Sequence, residues 1–181
     1  MKPLAKDPAT ILNHARAVID TESTAIKNLR IRLGAEFVRA IEMMLACRGK
    51  IVVTGVGKSG IIGHKIAATL ASTGTPSIFL HPGDAIHGDL GMVSREDIVL
   101  AVSNSGETEE ILRIVPYIKK IGATLMSVTC SSTSRLAMES ALCICTGEIR
   151  EADAFGLIPS SSAVCALVLG DALALTLLQL K

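Results

Sequence analysis

Four clusters of small polar and ionisable residues carry the chemistry this chain can do. The first, Thr54-Gly55-Val56-Gly57-Lys58-Ser59-Gly60, joins a glycine-lined turn to a cation and a hydroxyl. Lys58 and Ser59 at the start of a helix suit an anion, because free backbone N–H groups and the helix dipole point at it. Gly55, Gly57 and Gly60 also satisfy G-x-G-x-x-G, which is weak alone. A dinucleotide site wants an acidic residue about 20 positions on. Ile78-Phe79-Leu80-His81 offers none before Asp84, so dinucleotide binding is disfavoured. A Walker A loop would need glycine where Val52 stands. The plain alternative is a tight turn whose lysine is merely solvated.

The second cluster is Ser103-Asn104-Ser105-Gly106-Glu107-Thr108-Glu109-Glu110. Ser103, Ser105 and Thr108 with Gly106 at a helix start make a phosphate cradle; the alternative is that Ser105 only caps the helix. Two such loops on one sheet edge favour the phosphate reading. The third, His81 to Gly91, holds two of the four histidines, His81 and His87. Histidine moves protons near neutral pH. Their spacing in a loop is not a recognised metal-ligand pattern, and His14 and His64, on helical segments, receive no role. Glu148 and Glu151 form the fourth cluster.

Elements must place these clusters together. Short aliphatic runs at 51–55, 77–80, 98–103, 125–129 and 142–146 read as buried parallel strands. Helical spacing covers 8–31, 35–47, 59–73, 107–121, 133–140 and 163–180. This alternation predicts an α/β fold: a three-layer α-β-α sandwich around a five-stranded parallel sheet, Rossmann-like in layout. One domain is expected over 1–181, with helices in 1–48, the parallel core over 49–158 and a C-terminal helix over 159–181. Ligands of open α/β sheets bind at the carboxyl ends of the strands, where all four clusters fall.

Composition narrows the class. Lysine and arginine number 18 against 17 acidic residues, which excludes a broadly basic nucleic-acid or membrane surface. Apolar residues reach 49% with three Phe, one Tyr and no Trp, so the core is aliphatic. Cys47, Cys130, Cys143, Cys145 and Cys165 form no C-x-x-C and read as structural thiols of a reducing cytosol. MKPLAKDPAT lacks the apolar run of a secretion signal. The 163–180 segment could imitate a membrane span, but Asp171 near its middle argues for a buried helix shared with a subunit interface.

Taken together, GVGKSG, ASTGTPSIFLHPGDAIHGDLGM, SNSGETEEIL and GDALALTLL closely resemble the sugar isomerase (SIS) domain of arabinose-5-phosphate isomerases. The resemblance runs from about residue 10 to 181. It implies interconversion of D-arabinose 5-phosphate and D-ribulose 5-phosphate for synthesis of the Kdo sugar of lipopolysaccharide. It implies a cytoplasmic homotetramer that needs no metal for turnover and is inhibited by zinc, with His81 the expected ligand. Catalytic roles fall on Lys58, Glu110 and Glu151. Gly74, Thr75, His81 and His87 are implied to touch substrate, and the 103–108 loop, with Asn104 among its residues, to hold the phosphate. Moving a proton between C1 and C2 needs a base beside the carbon and a cation or donor near the developing oxyanion. Glu110 as base and Lys58 as oxyanion or phosphate partner fit, with a histidine opening the ring.

Two departures stand out. The family motif E-A-C-P-x-G-L-A-P-T-S-S is replaced by Glu151-Ala152-Asp153-Ala154-Phe155-Gly156-Leu157-Ile158-Pro159-Ser160-Ser161. The family also continues into an S-H-P-G-G segment with a catalytic histidine, often followed by CBS domains, whereas this sequence ends at Lys181. Two other expectations compete with the isomerase: a non-catalytic sugar-phosphate-binding module, and another SIS isomerase such as hexulose-phosphate isomerase, which the HGDLG stretch disfavours.

Overall fold

The structure, a computed structural model, describes residues 7–181. Residues 1–6, part of the stretch read as lacking a secretion signal, lie outside the described residues. Five strands form one parallel sheet in the order β2-β1-β3-β4-β5: β1 (Ile51–Gly55), β2 (Ser77–Phe79), β3 (Ile98–Val102), β4 (Thr124–Thr129) and β5 (Leu142–Cys145). β1 and β3 are buried at every residue, which is why their sequences run aliphatic without alternation.

Helices cover both faces. α1 (Pro8–Arg32), α2 (Ala35–Leu45), α3 (Gly57–Ser72) and α7 (Ser161–Leu180) pack on one side, joining Ile51, Val53, Leu100, Met126 and Ile144 in one core. α4 (Pro82–Ile86), α5 (Glu109–Ile121) and α6 (Arg135–Glu139) pack on the other, around Val52, Val99, Ala101 and Leu125. The expected three layers are present. α1 starts where Asp7 Oδ1 accepts the Thr10 N–H at 3.0 Å and Pro8 occupies the first turn. α5 stops at Gly122, which adopts φ 85°.

The excursion 81–92 contains more order than its sequence suggests: α4 and a 3₁₀ turn over Asp89–Met92. α4 has five residues, barely more than one turn, and its opening Pro82-Gly83 reads as a turn. Gly55 at the end of β1 and Gly60 in the first turn of α3 serve packing. A Cβ on Gly60 would sit 2.9 Å from Gly55 O, so the helix start presses directly on the end of β1.

α7 is long and apolar enough to cross a membrane by composition. In the fold, Cys165, Leu169, Gly170, Leu173 and Leu177 are buried against the rest of the chain, while Leu175 and Leu178 face outward, 52% and 45% exposed. This chain therefore covers one side of the helix rather than all of it, because α7 lies in an outer layer. Asp171 meets Lys65 of α3 in a salt bridge, which explains a carboxylate in so apolar a segment.

The chain leaves β1 for α3 on one face and β3 for α5 on the other. The adjacent β1 and β3 thus make a topological switch point, where a crevice opens at the carboxyl ends of the strands.

Candidate active site

At that carboxyl edge lies a cavity of about 180 Å³. Its lining includes Ser59 from α3, Asn104 after β3, Thr129 of β4, and Glu151, Leu157 and Ser162 from the segment after β5. Glu151 is the ionisable group on its wall. Its Oε2 accepts the N–H of Ser160 at 2.9 Å, the N–H of Ser162 at 3.2 Å and the Ser160 hydroxyl at 3.2 Å. Burial alone would raise its pKa, but these bonds from Ser162 and Ser160 outweigh it and hold the carboxyl below the usual range. Glu151 is thus an anion at neutral pH, held by the N-terminus of α7.

The serine-rich loop is folded on itself. Ser103 is buried, and its hydroxyl accepts the Gly106 N–H at 3.1 Å and lies 2.8 Å from Thr108 Oγ1. Ser105 Oγ accepts the Glu107 N–H at 3.1 Å, and Asn104 O accepts the Cys130 N–H at 2.8 Å. Thr108 makes no side-chain cap to α5, so first-turn N–H groups of that helix remain available to an anion.

Gly106 adopts φ 68°, and a Cβ there would lie 2.1 Å from Ser134 Oγ. Gly106→Ala is expected to lower stability by about 2 kcal/mol and to weaken phosphate binding, readable by urea titration and by phosphate-induced thermal shift. A variant matching wild type in both would remove the loop's conformation from the argument.

The remaining candidates are spread along the sheet. Lys58 is exposed in the first turn of α3, beside cavity-lining Ser59. Glu110 is exposed in the first turn of α5; its neighbours Glu107 and Glu109 both bind Arg135, at 2.8 Å to its N–H and 2.7 Å to its guanidinium. His81 and His87 bracket α4, past the carboxyl end of β2. His81 Nδ1 accepts the Gly83 N–H at 3.1 Å, which leaves Nε2 as its outward nitrogen. A zinc ion could use only that nitrogen without breaking the cap. Among the described residues, no three His, Cys, Asp or Glu side chains are grouped to hold a metal.

Gly74 and Thr75 lie at the opposite edge, before β2, where Lys181 Nζ donates to Gly74 O and Thr75 Oγ1, both at 2.9 Å. The strand length separates them from the cavity edge by roughly 16 Å within one chain. All five cysteines are free, and burial pushes the Cys165 thiol up to about 11, an unreactive state.

Sequence reasoning missed Thr129, Thr146, Leu157 and Ser162 as cavity residues. Only Ser162 carried a signal, as a serine in the first turn of a helix. Glu148 lines a neighbouring cavity of about 260 Å³ against α1, with Asp20, Asn28 and Arg150.

Known proteins resemble this chain in sequence and fold. The arabinose 5-phosphate isomerase KdsD of Pseudomonas aeruginosa is 48% identical over 170 residues, covering 94% of this chain and 52% of the relative. The Escherichia coli K12 protein of the same name is 45% identical over 166 residues, covering 92% and 51%. The chain spans about half the length of these relatives. A solved E. coli CFT073 protein in complex with A5P superposes with a TM-score of 0.95 at 45% identity, covering 97% of this chain and 93% of that one. The Vibrio vulnificus NanR protein complexed with ManNAc-6P shares the fold, with a TM-score of 0.75 at 24% identity over 93% of this chain and 62% of its own. A family model described as the SIS domain matches residues 44–176, the five strands with the helices from α3 to most of α7, and the chain belongs to the SIS domain family.

Proposed function

We propose that the chain is the isomerase domain of an arabinose 5-phosphate isomerase, interconverting D-arabinose 5-phosphate and D-ribulose 5-phosphate through an enediolate. One observation carries the reading: an ionised Glu151 on the wall of a small cavity at the switch-point edge, beside the serine-rich loop and Ser59. Similarity to the P. aeruginosa and E. coli isomerases, and to the E. coli CFT073 protein holding A5P, supports the substrate.

The substrate phosphate docks on the 103–108 loop and the first turn of α5. Glu151 takes the proton from C2 of the open-chain aldose, and the carbonyl oxygen on C1 gains the negative charge. The Lys58 ammonium stabilises that charge. Protonation at C1, with transfer of the O2 proton to O1, completes the ketose. Glu151 is favoured over Glu110 as base because it borders the cavity, whereas Glu110 is exposed and is not part of the cavity's lining. The proposal extends to a cytoplasmic enzyme of Kdo synthesis, to turnover without a metal, and to inhibitory zinc on His81. It includes a homotetramer, supported by the outward Leu175 and Leu178 of α7 and by the distance of Gly74 and Thr75 from the cavity of their own chain.

One observation favours a second reading, a non-catalytic sugar-phosphate-binding module. Glu151 spends one oxygen capping α7, a role it would keep without catalysis. Incubation with D-arabinose 5-phosphate, followed by NMR, separates the two. Ribulose 5-phosphate should accumulate to equilibrium; a rise in melting temperature without conversion indicates the binding module. Neither binding nor conversion defeats both, and a panel including hexulose 6-phosphate tests the remaining alternative.

A further inference from the structure

The segment between Glu151 and α7 is folded on one carboxylate. Asp153 Oδ2 accepts the N–H of Phe155 at 3.0 Å and of Leu157 at 3.2 Å, and Oδ1 accepts the N–H of Ile158 at 3.0 Å. The base of the loop is closed by the Ala152 N–H to Ser160 Oγ at 2.9 Å, and Ser160 in turn donates to Glu151. Gly156, Leu157 and Pro159 of this loop line the same cavity as Glu151.

Burial does not hold the loop. Phe155, Leu157 and Ile158 are 65%, 78% and 60% exposed, so apolar contact contributes little to their order. Three backbone donors converging on one anion supply it instead. The Asp153 carboxyl is held below the usual carboxylate range, as these bonds outweigh its partial desolvation.

We propose that Asp153 is a positioning residue: it fixes residues 153–159 as one wall of the cavity and so sets the affinity for the sugar phosphate. This rests on the function proposed above. Leu157 and Pro159 of this loop line the cavity together with Asn104 of the loop that takes the phosphate, so a displaced 153–159 segment changes the shape of the space the sugar enters. Without the anion the loop keeps a single backbone hydrogen bond between its closed ends, the Gly156 N–H to Asp153 O at 3.3 Å, against the three the carboxylate accepts.

The test compares Asp153→Ala and Asp153→Asn with wild type by amide hydrogen exchange, thermal melting and calorimetric titration with D-arabinose 5-phosphate. In Asp153→Ala, the amides of Phe155, Leu157 and Ile158 should exchange about tenfold faster or more. The Kd should rise about tenfold, with the melting temperature within about 2 °C because no core contact is lost. Asparagine keeps one acceptor oxygen and should recover part of both effects. Unchanged exchange overturns the proposal, as does faster exchange with an unchanged Kd. Wild type that binds no sugar phosphate overturns the functional reading and the positioning role with it, whereas faster exchange in Asp153→Ala would still support Asp153 as the group that fixes the loop.

Discussion

Replacing Glu151 with glutamine is expected to lower isomerisation by about a hundredfold or more while leaving the melting temperature nearly unchanged. Glutamine keeps an oxygen for the N–H groups of Ser160 and Ser162, so α7 stays capped; what it loses is the capacity to take a proton. Glu151→Ala should lose the cap as well, about 1 kcal/mol of stability, which separates the two roles of the one side chain. Glu110→Gln is the matching control: if it removes more activity than Glu151→Gln, the base is Glu110. The pH profile carries the same information. Because hydrogen bonds hold Glu151 below the usual carboxylate range, activity should persist as pH falls to that range and fail only beneath it. Initial rates by NMR across the acid range read both. A Glu151→Gln variant retaining a third of wild-type turnover would end its assignment as base.

The second large effect lies at the other edge of the sheet. Asp97 is 2% exposed and accepts three donors: the Lys50 N–H at 2.9 Å, Lys50 Nζ at 2.8 Å and the Ser94 N–H at 2.8 Å. It ties the start of β1 to the start of β3, and a Cβ on Gly49 would lie 2.2 Å from its Oδ1. Asp97→Ala strands these donors and should cost about 3 kcal/mol in urea unfolding at neutral pH. Burial opposes its ionisation, but the Lys50 and Ser94 bonds outweigh burial and lower its pKa. A depressed folded pKa contributes stability that is fully present above the unfolded value of about 3.9 and lost as pH falls through the folded one. Wild type should therefore lose stability in acid more steeply than Asp97→Ala. A loss under about 1 kcal/mol, with parallel acid limbs, would show the cluster to be dispensable.

How legible these features were depends on the range of the interaction behind them. The runs 51–55 and 98–103 announced strands because parallel strands buried on both faces must be continuously aliphatic. Observed β1 coincides with its run, and β3 ends one residue early, at Val102. Expected 77–80 shortens to Ser77–Phe79, although Leu80 N still donates to Val53 O at 2.9 Å. The helices at 59–73 and 107–121 shift by up to two residues, as ends set by caps do. α4 was illegible because its five residues make barely more than one turn and open with Pro82-Gly83, a pair that reads as a turn.

The layered α/β fold, the resemblance to SIS domains, and the strand ends that carry glycine, hydroxyl and carboxylate are all legible in the order of the residues. Those are local properties, written in residue type and spacing. Folding alone decided that Glu151 and Asn104, 47 positions apart, border one cavity, that Gly74 and Thr75 lie at the far edge, and that Lys65 neutralises Asp171. It also decided that Glu151 serves α7 and that Asp153 holds the loop between them. Parallel crossovers bring distant strand ends together, and an N–H donor looks the same in every residue except proline. Neither fact leaves a mark in residue spacing.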